Sequence, residues 1–287
     1  MTALTEYQLL GRKVKSVANT ALLVTPIVAK PAPPVIEPLG SGLFMQIDDD
    51  YFLITAGHLL NLEDWKDLLV PGNNNQMVWL NGIVATTFNK PNLISNIDFA
   101  VLKFSSRQVK HLTNGHHGTI KPNHVLINHN LKYGDNYVIA GYPVSGVRKK
   151  YGQPIYKPIP LKLLTYPVHV KNYRKHGFNP NHHILLKYQR TLKPFNYQQK
   201  QITKEAVGIS GSGLWFVPDW NRMTNGVPTF FLTGIMIENH KDKGFLAALR
   251  IDFVIETIRQ IFNKGDLSIT KVNVGETIKT LFCAEIP

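Results

Sequence analysis

The sequence GISGSG at residues 208–213 places Ser210 in a glycine-rich turn directly before the apolar run LWFV. Glycine reaches backbone conformations that other residues rarely adopt, so such a turn can be tight and can aim several backbone N–H groups into one small space. Donors arranged in this way stabilise the negative charge that develops on an oxygen atom during acyl transfer. The stretch therefore predicts a serine-bearing turn, suited to an oxyanion, at the start of a β-strand.

Two further stretches supply the groups that such a serine needs. ITAGH at residues 54–58 is an apolar strand that runs through small residues to His58, and NIDFAVL at residues 96–102 opens a strand with Asp98. A serine hydroxyl is a weak nucleophile unless an imidazole takes its proton, and the imidazole needs a carboxylate to fix its tautomer. Asp98 follows His58 by 40 residues and Ser210 follows Asp98 by 112, in the order His, Asp, Ser. Together the three stretches predict a catalytic triad.

The remaining pattern is typical of an all-β protein. Short runs rich in β-branched and aromatic residues recur between Gly, Asn, Asp and Pro: GLFMQI, YFLITA, MVWLNGIVATTF, FAVLKF, NYVIAGYP, HHILLKY, GLWFV and TFFLTGIMI. This pattern predicts a β-sandwich or barrel. The spacing of apolar residues also predicts helices over residues 58–69 and 251–262. Strand-like alternation in SITKVNV, near the C-terminus, has no assigned place.

These motifs resemble those of the trypsin-like serine proteases, which have the chymotrypsin fold, and the likeness is to a bacterial-type intracellular member. TAGH is similar to the family's motif around the catalytic histidine, IDFAVLKF to its aspartate-bearing strand, and GISGSG to its serine turn. GSGLF at residues 40–44 resembles the strand before the histidine, and GYP at residues 141–143 resembles the opening of the second barrel. The resemblance covers roughly residues 40–262.

For the fold, the resemblance implies two six-stranded antiparallel β-barrels followed by a C-terminal α-helix. The expected division is an N-terminal lead-in over residues 1–38 and a first barrel over 39–120, which carries the histidine and the aspartate. A second barrel over 121–262 would carry the serine, a basic insertion and the helix, and residues 263–287 would form a tail. Polar turn residues in HLTNGHHGTIK, at 111–121, fit the boundary between the barrels.

For the site, the resemblance implies that Ser210 is the nucleophile, that His58 is the general base and acid, and that Asp98 orients His58. The backbone N–H groups of Gly208 and Ser210 would form the oxyanion hole. Ile209 departs from the family, because an acidic or amide residue usually precedes the serine. In secreted relatives that carboxylate receives a new N-terminal amine, so Ile209 implies that no such activation step occurs. The turn is then either held by other contacts or formed only when something binds. Ser212, in place of the second glycine, is a milder change.

The resemblance also implies a substrate pocket with Lys204 at its base and Ile237 and Asn239 near its wall, beside Glu238. A buried Lys204 ammonium would favour an acidic substrate side chain, because an unpaired buried charge is costly. In the alternative, Lys204 faces solvent or is neutralised by Glu205. We expect no metal ion and no cofactor, since the paired histidines at 116–117 and 182–183 lack metal-ligand spacing.

Charge is distributed very unevenly along the chain. The 287 residues carry 32 Lys and Arg against 19 Asp and Glu, for a net charge of +13. The segment between Arg148 and Lys204 holds thirteen of these cations and no carboxylate. Such a segment either binds an anionic partner, such as an acidic protein or nucleic acid, or is simply a solvated face. Two functions therefore stay open: a serine endopeptidase acting on a protein or peptide, and a catalytically weak or inactive protease-like module that docks an anionic partner.

Cysteine content and the hydropathy pattern bear on where the protein acts. The chain has a single cysteine, Cys283, and therefore no intrachain disulfide. No apolar run approaches the roughly 20 residues that span a membrane, and the N-terminal residues do not form a clean signal peptide. We expect a cytoplasmic protein without a membrane span.

Overall fold

A computed structural model gives the fold of the chain. It describes residues 13, 17, 19–32, 35–60, 67–73, 76–87, 97–112, 118–143, 160–188, 191–192, 201–202, 207–218, 220, 229–274 and 278–282. Within these ranges fourteen of the sixteen named β-strands form two curled antiparallel sheets, two more form a small separate pair, and an α-helix follows the second sheet. No helix in the same ranges is long and apolar enough to cross a membrane.

The first sheet has eight strands in the order β16-β6-β7-β3-β2-β1-β4-β5. They are β1 (Val24–Ala32), β2 (Val35–Ile47), β3 (Asp50–Thr55), β4 (Leu68–Pro71), β5 (Met77–Trp79), β6 (Gly82–Thr86), β7 (Ala100–Phe104) and β16 (Lys279–Phe282). Only Leu80 and Asn81 separate β5, at one end of this order, from β6 near the other. The sheet must therefore curl until its two ends approach each other.

The second sheet has six strands in the order β10-β15-β14-β13-β8-β9. They are β8 (Asn136–Gly141), β9 (Leu161–Thr165), β10 (His183–Lys187), β13 (Gly213–Val217), β14 (Phe231–His240) and β15 (Phe245–Arg250); β11 (Thr191–Leu192) and β12 (Gln201–Ile202) pair separately. An antiparallel bridge between Pro167 and Leu186 and a bond from Lys187 N–H to the Tyr166 carbonyl (2.9 Å) bring the two ends of this sheet together.

The helices are α1 (Ser106–Leu112), α2 (Lys171–Lys175) and α3 (Asp252–Ile261). Helix α3 confirms the prediction over residues 251–262, and its apolar face is buried, with the Phe253 ring 6.4 Å from that of Phe99. The helix predicted over residues 58–69 is wrong at its C-terminal end. Leu68 and Leu69 belong to β4 and pair with β1, because buried strand pairing there overrides the helical spacing. Residues 61–66 of that prediction lie outside the described ranges.

The predicted all-β double barrel with a C-terminal helix is confirmed. The structure adds that the chain returns after the helix, since β16 pairs with β6 of the first sheet. The SITKVNV stretch precedes this strand and forms none itself. Strands β9 and β10 of the second sheet, and helix α2 between them, come from the basic segment, so part of that segment builds the barrel.

Candidate active site

Strand pairing brings His58 and Asp98 to the same end of the first sheet. Strand β3 pairs with β7 so that Thr55 lies opposite Ala100. His58 follows in a 3-10 turn just after β3, and Asp98 lies just before β7. The His58 ring Nδ1 lies 2.6 Å from Asp98 Oδ2, and the His58 backbone N–H donates to Asp98 Oδ1 at 2.8 Å. One carboxylate therefore holds both the ring and the backbone of His58.

The residue before the histidine leaves no room for a side chain. A Cβ at Gly57 would lie 2.6 Å from Asp98 Oδ1 and 3.0 Å from the backbone N and O of Phe99. Real Cβ atoms do not approach a polar atom this closely, so the neighbouring groups would have to move. Glycine at this position lets the Asp98 carboxylate reach under the turn.

The protonation of His58 reflects both its burial and its neighbours. Burial lowers the pKa of His58, but the hydrogen bond to Asp98, the charge of Asp98 and the charge of Glu238 outweigh it, and the pKa is raised overall. A carboxylate on Nδ1 also leaves the other ring nitrogen, Nε2, as the one that can accept a proton. The imidazole is therefore arranged as a base, and the Asp98 and Glu238 carboxylates stabilise its protonated form.

The Ser210 turn is held by a backbone bond to β14 and by bonds within the turn itself. Gly208 and Gly211 have φ values of +84° and +80°, in the left-handed region that favours glycine. Gly211 N–H donates to the Met236 carbonyl at 2.8 Å, and Ser212 N–H donates to the Ile209 carbonyl at 2.9 Å. The buried Ser212 hydroxyl also donates to the Ile209 carbonyl. These bonds fix the turn around Ser210.

Ile209 itself is a core residue. Its side chain is 3% exposed and belongs to the apolar cluster of the second barrel that includes Ile139, Leu163, Leu214 and Met236. An acidic residue in its place would be buried without a partner in this cluster. Of the two consequences that the sequence left open, these contacts favour a turn held by apolar packing and backbone bonds.

Ser41 of β2 joins the serine turn to the first barrel. Its backbone N–H donates to the Ser210 carbonyl at 2.8 Å, and its own carbonyl accepts from Thr55 Oγ1 at 2.7 Å. Its hydroxyl accepts from the Tyr142 backbone N–H at 2.8 Å. Ser41 and Thr55 are fully buried. This residue therefore connects strand β3, which leads to His58, with two segments of the second barrel.

The turns that carry His58 and Ser210 meet at Gly40. A Cβ there would lie 2.5 Å from Leu59 Cδ1 and 3.0 Å from the Ser210 carbonyl. Leu59 is the neighbour of His58 in the 3-10 turn, so both turns pack against this one glycine. The GSGLF motif is thus the strand on which both halves of the site rest.

The Ser210 hydroxyl has only a weak partner. It lies 3.5 Å from the Ile237 carbonyl, which is long for an O–H···O bond, and in the described part of the chain it makes no hydrogen bond to His58. Over the same ranges, the backbone N–H groups of Gly208 and Ser210 have no acceptor. The two donors predicted for the oxyanion hole are therefore not used by the fold within those ranges.

A cavity of about 310 Å³ opens beside Ser210 and is lined by Gly208, Ile209, Glu238 and Asn239 among others. The role of Asn239 in binding a substrate stays a prediction. Ile237 is 2% exposed and does not line the cavity, although its carbonyl faces the Ser210 hydroxyl. Lys204 and Glu205 lie outside the described residues, so their placement stays a prediction.

Sequence reasoning placed Glu238 near the pocket but missed its partner. Glu238 Oε2 lies 2.6 Å from His240 Nε2, and the His240 ring stacks on Phe245 at 4.6 Å between centroids. Residues two apart on a strand share a face, so the spacing of Glu238 and His240 on β14 carried the signal. No sequence pattern pointed in the same way to the hydrogen bonds of Ser41 that connect the two barrels, because the partners of Ser41 lie far away in sequence.

Comparison with known proteins supports the fold and leaves the family open. No protein-family model matches the chain, and no curated protein matches it. Solved structures do match, among them the scabies mite inactivated protease paralogue S-D1, with a TM-score of 0.54 and 11% sequence identity. The match covers 89% of this chain and 97% of that one. At this identity the likeness shows the fold alone, and that fold is the chymotrypsin-like double β-barrel.

Proposed function

We propose that the protein is a trypsin-like serine endopeptidase that hydrolyses peptide bonds through a Ser210–His58–Asp98 triad and an acyl-enzyme intermediate. The observation that carries the proposal is the Asp98–His58 pair at 2.6 Å, at the junction where the serine turn packs onto the first barrel. A structural histidine needs no carboxylate bound to both its ring and its backbone. The raised pKa of His58 fits a group that takes up a proton during the reaction.

In this mechanism the Ser210 oxygen attacks the carbonyl carbon of the scissile bond while His58 Nε2 takes the hydroxyl proton. The Nδ1–H donates to Asp98, which stabilises the imidazolium and keeps the ring in place. The carbonyl oxygen becomes an oxyanion that accepts from the N–H groups of Gly208 and Ser210. His58 then gives its proton to the leaving amine, and water repeats the cycle on the acyl group.

The Ser210 hydroxyl must turn from the Ile237 carbonyl towards His58 for the first step. Rotation about one side-chain bond is a small change, and hydrogen bonds between catalytic groups are often long in the absence of substrate. A substrate that displaces water from the cavity beside Ser210 would favour this rotamer. We therefore expect the triad to close when the substrate binds.

The substrate side chain next to the cleaved bond would occupy the 310 Å³ cavity. Lys204 at its base would favour Asp or Glu, whereas Glu238 and Asp242, which line the cavity, would favour Lys or Arg. Cleavage of a peptide library separates these cases: an acidic preference supports Lys204 as the base of the pocket, and a basic preference or none contradicts it.

Reaction with a fluorophosphonate probe tests the triad directly. These probes phosphonylate a serine only when a base activates it and an oxyanion hole is available. We expect stoichiometric labelling of the wild-type chain and none of Ser210→Ala or His58→Ala. Ser105→Ala is a matched control, because Ser105 lies in the first barrel after β7. Labelling that persists in Ser210→Ala would show that another residue reacts.

A second function, a protease-like module that binds an anionic partner without efficient catalysis, fits one specific observation. The Ser210 hydroxyl bonds weakly to the Ile237 carbonyl and not to His58. The described cations of the basic segment are all exposed: Lys162, Lys171, Arg174, Lys175 and Lys187. Of its described aromatic residues, Tyr173, Phe178 and Tyr188 are buried and only Tyr166 is exposed, so base stacking is not the favoured mode.

Binding to heparin and to single-stranded DNA tests this function. A docking surface predicts retention that falls steeply with salt, because bound polyanions release counterions. Charge reversal of Arg148, Lys149 and Lys150, which lie outside the described residues, should weaken retention and leave peptide hydrolysis unchanged. Absence of salt-sensitive retention would leave the segment as a solvated face. The single cysteine keeps a reducing, cytoplasmic location as our expectation.

A further inference from the structure

Strand β5 of the first barrel ends its sheet with backbone groups that no strand covers in the described part of the chain. Its described partner is β4 alone, with Leu69 opposite Trp79 and Val70 opposite Val78. The bond from Leu80 N–H to the Leu68 carbonyl (2.8 Å) shows that even-numbered residues here point their backbone groups towards β4. The N–H and C=O groups of Met77 and Trp79 therefore point outwards.

One side chain covers this edge in part. Gln108 of α1 donates from Nε2 to the Trp79 carbonyl at 2.7 Å. The other half of the same amide, Gln108 Oε1, is buried and has no hydrogen-bond donor among the described residues. A buried acceptor without a donor is unfavourable, so this cover is poorly satisfied and its displacement costs little.

A groove lies along the same edge. Its volume is about 720 Å³, within the usual range of ligand sites, and its walls are the three residues of β5 and the side of α1 that carries Arg107, Gln108 and His111. The Trp79 side chain is 40% exposed at this groove. The groove thus combines a large apolar ring with strand groups that no described strand pairs, which is the combination that an added peptide strand uses.

Charge in the groove favours an acidic occupant. Arg107 and His111 line it from α1, and the same helix carries an exposed Lys110. Asp67 is the one carboxylate among the described residues that line it. A peptide with acidic side chains on the α1 side would meet the charges of Arg107 and Lys110.

We propose that this groove is a peptide-binding site, separate from the candidate active site, that takes an extended acidic segment of a partner protein as a strand added to β5. The peptide backbone bonds to the outward groups of Met77 and Trp79. An apolar side chain of the peptide packs on the Trp79 ring, and its carboxylates face Arg107. Binding displaces Gln108 from the Trp79 carbonyl and lets its amide find new partners.

The test uses fluorescence anisotropy with the full chain carrying Ser210→Ala, so that no probe is cleaved. The probe is a blocked, fluorescein-labelled peptide of alternating Thr and Val with one central Phe and two Glu. Two further forms are N-methylated along one edge or the other. We expect saturable micromolar to millimolar binding, lost in only one of the N-methylated forms, because an added strand uses one edge.

Variants of the protein check the location. Trp79→Ala should weaken binding about tenfold, as the loss of an aromatic anchor does. Tyr133→Ala, which removes another aromatic ring that is 76% exposed, should leave it unchanged. A peptide with Lys in place of Glu should bind more weakly, and Arg107→Glu should reverse that order. The proposal is overturned by absent binding, by equal binding of both N-methylated forms, or by unchanged binding in Trp79→Ala.

Discussion

Substitution of Gly211 by alanine tests whether the hydrogen bonds of Ser41, which connect the two barrels, set the position of Ser210. Gly211 has φ +80°, and a Cβ on it would overlap the Ser41 carbonyl oxygen and Thr55 Oγ1. Both atoms are buried and bonded to each other at 2.7 Å, so neither can move without breaking that bond. The same shift of Ser41 would strain its N–H bond to the Ser210 carbonyl.

Gly177 provides a matched control for the backbone part of the effect. Its φ is +78°, and a Cβ on it would have nothing within 4 Å. Alanine in the left-handed region costs about 1–2 kcal/mol, and the reduced freedom of the unfolded chain returns about 0.4–1 kcal/mol. We therefore expect Gly177→Ala to lower the free energy of unfolding by about 1 kcal/mol.

Gly211→Ala should lower the free energy of unfolding by more than Gly177→Ala does, because it also disturbs the two hydrogen bonds of Ser41. Each contributes about 1 kcal/mol net, and a buried group left unpaired costs about 1–3 kcal/mol. The expected loss is about 3–6 kcal/mol in the free energy of unfolding, measured by denaturant titration. Because Ser210 shifts with its carbonyl, fluorophosphonate labelling should also slow by about 100-fold or more, the effect of a disturbed oxyanion hole. If both alanine variants lose the same stability and label at the wild-type rate, the hydrogen bonds of Ser41 do not position Ser210.

Three further predictions concern the candidate site. Asp98→Asn should fold normally yet lower turnover by about 10⁴-fold, because the amide favours the wrong tautomer of His58; turnover within tenfold of wild type would contradict the triad. The Glu238 charge raises the pKa of His58, so Glu238→Gln should lower that pKa and move the acid limb of the labelling rate to lower pH, whereas Asp242→Asn in the same cavity should not; equal profiles would contradict the effect of Glu238. If the turn is held by packing rather than by an N-terminal amine, changing the N-terminal residue should leave labelling unchanged, and full dependence of labelling on a cleaved N-terminus would refute this. By the same reasoning Ile209→Ala should lower the free energy of unfolding by about 2–5 kcal/mol.

The sequence identifies the histidine half of the site because its parts are local. A strand that runs into a small-residue turn places His58 at the strand end, and an aspartate that opens another strand takes the same place opposite it. Once the two strands are expected to pair, the contact follows. The helix predicted over residues 58–69 is wrong at its C-terminal end because pairing with other strands decides the conformation there. Leu68 and Leu69 pair with β1, which is distant in sequence, and β4 also pairs with β5 across a turn.

The packing of Ser210 against the first barrel could not be foreseen from motifs. It depends on Ser41, whose backbone and hydroxyl bond to groups 14, 101 and 169 residues away in sequence. The spacing of residues along the chain cannot predict such contacts, since they depend on how the two barrels pack against each other. The eight-stranded first sheet is a similar case, because its strand β16 lies in the C-terminal tail, where the sequence predicted no strand.

Ser41 and Ile209 together explain how this turn can be ordered without a buried N-terminal amine. An ion pair would fix the residue before the serine by one strong contact, whose formation can be controlled by cleavage. Here the same residue is fixed by apolar burial among core side chains, and the two residues that follow it are held by backbone bonds, Ser210 to Ser41 and Gly211 to Met236. Apolar burial is present as soon as the barrel folds, so it cannot act as a switch. Control that acts within the described contacts is then left with the Ser210 hydroxyl, whose one described contact is the 3.5 Å approach to the Ile237 carbonyl.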